Sequence, residues 1–234
     1  MMNLNREIFS VLEGLAGTGE AVKLINTHKG IPVSYDAIIK GMTELGVVFQ
    51  VQPFQMVCLE LERQTFIYTE ELSSIVKAKV AATDTIENQA TLTGFAYTMD
   101  TIGKRLLARV EPAETVPVVI SNNRRRLKAE LLDISEVGIG LLTHPSYTYT
   151  PTLFTRGSQV RINLQLSADA APIFIDGVIH HVVQSGEAHH LGIIISPSGE
   201  TKESIHRFIA KRQAEILEEL QMLYDQMYQM KVGQ

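Results

Sequence analysis

The chain has 234 residues, 45% of them hydrophobic and 20% charged. These are ordinary values for a folded protein, and the chain is long enough for one large or two small cores. Lysine and arginine total 21 against 26 aspartates and glutamates, and the net charge of -5 gives no overall field to draw in the backbone of a nucleic acid, so any anion site has to be local. The longest apolar runs, such as Gly46–Phe49 and Leu191–Ile195, fall far below the roughly 20 residues that span a bilayer. No signal-peptide pattern opens the chain, so a cytoplasmic protein without membrane insertion is expected. One cysteine, Cys58, excludes an internal disulfide and a thiolate metal cage, and its neighbours Met56, Val57 and Leu59 read as core.

In chain order, Asn3–Ala16 spaces Leu4, Ile8, Val11, Leu12 and Leu15 three and four apart, which predicts a short amphipathic helix loosened at its end by Gly14, Gly17 and Gly19. Val22–Ile25 reads as a second helical turn, closed by Lys29-Gly30. From Ile31 to Met99 the period changes to two. Short runs rich in β-branched or aromatic residues begin at Gly46, Met56, Gln64, Ile75 and Ala90, which predicts an antiparallel barrel or sandwich.

The strand pattern stops at Tyr97, and Asp100–Lys104 is the natural boundary. A second β-rich unit follows over about 106–196, with roughly six strands. Val116–Ile120 leads through Ser121-Asn122-Asn123 into Leu127–Leu132 as a hairpin. Val160–Leu166, Phe174–Val183 and His190–Ile195 continue the alternation. A helix then runs from Lys202 to about Met230, with Ile209, Ile216, Leu223 and Met230 every seven residues and Gln213, Leu220 and Met227 between them. Such a stripe either packs on the chain's own barrel or supports a homo-oligomer.

Two motifs at the entrance of the second unit carry the chemistry. Arg105-Leu-Leu-Ala-Arg109 follows Lys104, and Asp133-Ile-Ser135-Glu-Val-Gly138 stands 24 positions after Arg109. Each is weak alone; together they resemble the signature of the PilZ family, bacterial receptors for the second messenger cyclic di-GMP. The resemblance extends over about 105–225, through the strands at Val116–Ile120, Leu127–Gly140, Phe174–Val178 and Leu191–Ile194 to the tail helix with Ile205, Phe208 and Ile209. It implies that Lys104, Arg105, Arg109, Asp133, Ser135 and Gly138 bind the ligand. Lys104 stands where many members carry another arginine and leaves the ligand stoichiometry open.

The chemistry of these side chains suits such a ligand. A guanidinium grips a phosphate or the O6 and N7 edge of guanine through two parallel hydrogen bonds, and its flat face stacks on a base. Asp133 is an acceptor for the N1 and N2 donors of guanine, Ser135 adds a hydroxyl, and Gly138 permits close backbone approach or a positive φ.

The unit before it is similar in layout to the split barrel that precedes PilZ in flagellar brake proteins. The expected protein is therefore mainly β, with two antiparallel barrels, a short N-terminal helix and a long C-terminal helix. Residues 1–100 hold the helix and split barrel, 101–110 a ligand-binding linker, and 111–234 the six-stranded barrel with its helix. No cofactor or catalysis is expected, and the partner would belong to the flagellar motor, pilus or polysaccharide machinery. A barrel that has lost the ligand and works as an adaptor is the alternative.

Other candidates are weaker. Arg124-Arg125-Arg126 sits at a predicted hairpin tip. His180-His181 and His189-His190 each offer one ligand per strand face, without a carboxylate set, so no metal site is expected. No nucleophile elbow, phosphate loop or dinucleotide fingerprint appears.

Overall fold

A computed structural model of the chain describes residues 2–98, 108–122, 125–143, 154–167 and 169–233. It divides into two compact units, Met1–Leu106 with Ile216–Gln234, and Leu107–Glu215.

In the first unit, α1 (Met2–Thr18) turns Ile8, Leu12 and Leu15 into the core, the spacing of a single helix face. It stops where the Gly19 N–H, at φ 73°, donates to the Leu15 carbonyl oxygen at 2.9 Å, a left-handed cap that glycine adopts without steric cost. Six strands follow: β1 (Ala21–His28), β2 (Ile31–Thr43), β3 (Gly46–Gln50), β4 (Gln64–Tyr68), β5 (Val76–Asp84) and β6 (Gln89–Tyr97). They close an antiparallel barrel in the order β1-β2-β3-β6-β5-β4. Alternate residues such as Val22 and Leu24, Ala37 and Ile39, and Val47 and Phe49 are buried, and each large side chain among them contributes on the order of 1.5–3 kcal/mol.

Two segments depart from the sequence expectation. Val22–Ile25 is part of β1, not a helical turn; four residues are too few for the two periods to be told apart. Lys29 and Gly30, at φ 47° and 82°, instead form the two-residue turn that pairs His28 with Ile31, the geometry that matches the twist of a hairpin. Met56–Glu62 is helix, not strand, within α2 (Pro53–Glu62). Pro53 in its first turn lacks only an N–H that the helix would not use. Arg63, at φ 55°, closes it by donating its N–H to the Leu59 carbonyl oxygen at 3.1 Å. Gln55–Leu59 are all buried because two groups cover the helix: Met56 and Leu59 join the barrel core, while Val57 and Cys58 cluster with Val33 and Leu220. Burial, with Glu62 nearby, pushes the Cys58 thiol up to about 12, so it stays protonated at neutral pH.

A polar cluster is enclosed beside α2. The Asn26 amide donates to Glu62 Oε2 and to the Gln64 carbonyl oxygen, both at 2.8 Å, and its oxygen accepts from Thr65 Oγ1 at 2.7 Å and Gln55 Nε2 at 2.5 Å. Desolvation raises the Glu62 carboxyl above its ordinary range, against the lowering effect of the Asn26 bond. The last helix, α3 (Gly199–Val232), contributes its later residues to this unit. Leu220 is buried, the Tyr224 hydroxyl donates to Asn88 Oδ1 at 3.0 Å, and Glu219 pairs with Lys29.

In the second unit, β7 (Pro117–Ser121), β8 (Arg126–Ser135), β9 (Gly138–Thr143), β10 (Gln159–Leu164), β11 (Ile173–Ser185) and β12 (Ala188–Ile195) close a barrel in the order β10-β11-β12-β9-β8-β7. Numbered from its own first strand, each barrel has the same pairings: first with second, second with third, third with sixth, sixth with fifth, fifth with fourth, and fourth with first. The β7–β8 hairpin uses Asn122 as the sequence suggests: its N–H donates to the Arg125 carbonyl oxygen at 3.0 Å, and its side chain accepts from the Arg125 N–H at 2.9 Å. Ile205 and Ile209 of α3 are buried in this unit. The helical stripe is buried at Ile209, Ile216 and Leu220, Leu223 and Met227 pack partly buried against the clusters of the first unit, and Met230 is exposed. Among the described residues no helix is long and apolar enough to cross a membrane.

Candidate functional site

The site grows from an irregularity in β8. Leu127, Ala129 and Leu131 alternate into the core, and strict alternation would send Asp133 there as well. The register shifts instead: Leu131 pairs with Leu141, and Asp133 pairs with Gly140. One extra residue reverses the faces beyond it, so Ile134 is buried while the Asp133 side chain stays 30% exposed. A carboxylate that would otherwise be buried unpaired reaches the surface of the barrel.

Val110 lies against the same end of β8. Its N–H donates to the Ile134 carbonyl oxygen at 2.9 Å and its carbonyl accepts from the Ile134 N–H at 3.0 Å. This two-bond bridge brings Arg109 alongside, and Arg109 Nη1 donates to Asp133 Oδ1 at 2.9 Å with its side chain 31% exposed. Two glycines clear the space. A Cβ on Gly138 would stand 3.1 Å from Arg109 Nη2, and one on Gly140 would stand 2.9 Å from Asp133 Oδ1. Gly138 does not have a left-handed φ; what its missing side chain provides is room for the guanidinium. Ser135 is buried, and its hydroxyl donates to the Gly138 carbonyl oxygen at 3.2 Å, closing the Glu136-Val137 turn.

Arg109, Asp133, Ser135 and Gly138 therefore stand together. Lys104, Arg105 and most of the expected linker lie outside the described residues, as does Arg124. Gly140, which leaves room for the Asp133 carboxylate, was missed by motif reading, although its position two residues after Gly138, where a strand would normally place a side chain, was a usable signal. Arg212 was missed as well. It occupies the apolar stripe of α3 between Ile209 and Ile216, and it is only 4% exposed.

The arrangement presents a cation and an anion side by side, both reachable from solvent, on a glycine-cleared floor. That suits a ligand offering an anionic group and a donor edge at once. Among the described residues no three metal-ligating side chains gather. His181 stands over Gly192, where a Cβ would lie 2.0 Å from its ring. A separate groove of about 1140 Å³, walled by Pro112–Pro117, part of 165–174 and the start of α3, contains none of the motif residues.

Comparison with known proteins bears on the same segment. Residues 103–211 match the PilZ domain family. None of the curated proteins matches the chain. Among solved structures, it is similar to YcgR from Escherichia coli in complex with c-di-GMP, with 13% identity, a TM-score of 0.44 and coverage of 92% of this chain and 93% of that one. It is also similar to the K. pneumonia MrkH–c-di-GMP complex, at 12% and 0.47 with coverage of 92% and 96%. The Bacillus subtilis inhibitor of motility MotI/DgrA gives 11% and 0.44, with coverage of 84% and 97%.

Proposed function

We propose, from the match of residues 103–211 to the PilZ domain family, that this protein is a bacterial receptor for cyclic di-GMP whose output is a changed contact with a protein partner, not a catalysed reaction. The observation that carries this reading is the Arg109–Asp133 pair on the space cleared by Gly138. Cyclic di-GMP carries two phosphates and two guanines. Arg109 supplies the planar cation for a phosphate or a guanine O6/N7 edge, and Asp133 accepts from guanine N1 and N2. Ser135 shapes the turn beneath them. Lys104 and Arg105 complete the cationic side, within a connecting segment 101–110 between an N-terminal region 1–100 and a C-terminal region 111–234. The ligand then acts as a switch to the extent that it binds one arrangement of the two regions better than another. The partner would belong to motility, pilus or exopolysaccharide machinery.

Calorimetric titration of the full chain with cyclic di-GMP tests the reading. Binding is expected, and Arg109→Ala and Arg105→Ala should each weaken it at least tenfold, as loss of charge-assisted hydrogen bonds requires. Absence of heat at saturating ligand would overturn the receptor reading and leave a ligand-free adaptor. Wild-type affinity in both variants would remove the proposed site.

A further inference from the structure

The stripe that α3 turns toward the protein runs Ile205, Ile209, Arg212, Ile216, Leu220. Four of these side chains are apolar, and the fifth is a guanidinium with 4% exposure. A cation in that position is costly unless its donors are met and its charge balanced. Two of its donors are met and its charge is paired: Arg212 Nε donates to the Glu111 carbonyl oxygen at 2.8 Å, and Nη1 donates to Glu215 Oε2 at 3.1 Å.

The Glu111 carbonyl is not an incidental acceptor. Glu111 follows Val110, whose two hydrogen bonds hold it to Ile134, and Val110 follows Arg109. The run 109–111 is therefore held on one side by the edge of β8 and on the other by α3. A second contact joins helix and site, since His206 Nε2 lies 3.4 Å from Glu136 Oε2 in the Ser135–Gly138 turn.

Resting on the receptor reading above, we infer that Arg212 is a positioning residue for ligand capture: by holding the Glu111 carbonyl it fixes the direction in which the Arg109 guanidinium leaves the chain. It sets the affinity for a guanine dinucleotide without touching it. Fixing a binding group before the ligand arrives removes an ordering cost from association, and a two-point anchor immediately after Arg109 does this. Arg212 lies one residue beyond the matched family segment, 103–211, so the motif itself does not assign it.

The test is a calorimetric cycle on the full chain with cyclic di-GMP, using Arg212→Met, which keeps the apolar stem, and Arg212→Lys, whose ammonium can still reach the Glu111 carbonyl. Arg212→Met should weaken binding about tenfold, and Arg212→Lys should recover most of that loss. In an Arg109→Gln background, Arg212→Met should change the affinity less than twofold, because the group it positions is gone. Hydrogen exchange at the Val110 amide should accelerate in Arg212→Met while the Ile139 amide in the core of β9 keeps its protection. If the wild type does not bind, the receptor reading fails. If the wild type binds and Arg212→Met binds equally well, or loses the same factor in both backgrounds, the positioning role fails while the receptor reading stands.

Discussion

The β2–β3 hairpin of the first barrel and the β8–β9 hairpin of the second are the same construction with different contents. Each second strand carries a bulge, at Ile39/Gly41 in one and Leu131/Asp133 in the other. Each ends in a hydroxyl residue, two turn residues and a glycine: Thr43-Glu44-Leu45-Gly46 and Ser135-Glu136-Val137-Gly138. Thr43 Oγ1 donates to the Gly46 carbonyl oxygen at 3.1 Å, and Ser135 Oγ donates to the Gly138 carbonyl oxygen at 3.2 Å. The registers correspond as well, with Gly41 opposite Val48 where the second barrel has Asp133 opposite Gly140.

The difference separates scaffold from chemistry. Two of the three specified residues of the Asp-x-Ser-x-x-Gly motif, the hydroxyl and the final glycine, are turn construction that the first barrel also uses. What the second barrel adds is Asp133 in place of Gly41, Gly140 in place of Val48, and Arg109 laid on Gly138. The two terminal glycines also serve different neighbours. A Cβ on Gly46 would lie 2.1 Å from the Leu92 carbonyl oxygen, whereas one on Gly138 would meet first the movable guanidinium, at 3.1 Å.

Four substitutions bear on this comparison, and the largest effect belongs to Gly46→Ala. The new Cβ collides with backbone and the residue sits at φ 147°, so a loss of about 3 kcal/mol is expected in chemical denaturation. A loss below about 1 kcal/mol would mean that the hairpin yields easily. Next is Gly140→Ala, whose Cβ would displace Asp133. Cyclic di-GMP affinity should fall about tenfold, or roughly 1.4 kcal/mol, with a smaller change in melting temperature; unchanged affinity would take Asp133 out of the site. The smallest is the matched pair Thr43→Ala and Ser135→Ala. Each removes one side-chain hydrogen bond, about 0.5–1.5 kcal/mol of stability, and Ser135→Ala should leave the affinity within a few-fold of wild type. A loss as large as that of Arg109→Ala would show Ser135 to be a direct ligand contact and the analogy with Thr43 to be superficial.

Much of the architecture was readable because strand alternation is written residue by residue. The runs at Gly46, Gln64, Val160 and Leu191 all became strands, and Asn122 announced its turn. The same rule failed at Met56–Glu62, where a helix covered by both the barrel core and Leu220 buries five consecutive residues and loses its one-sided stripe. At the site, Arg109, Asp133, Ser135 and Gly138 were legible because they form a compact motif pair. Gly140 and Arg212 were not, since what matters about them is what they face across the sheet or beneath the helix.

By itself the sequence determined two strand-rich units, the helices at either end and the pair of motifs that supplies Arg109, Asp133, Ser135 and Gly138, because periodicity and chemical identity are local properties. Tertiary structure alone decided that Asp133 turns outward and that Arg109 finds it. A bulge changes the facing of a strand without changing its composition, and a bridge such as Val110–Ile134 joins residues that only the closed fold brings together.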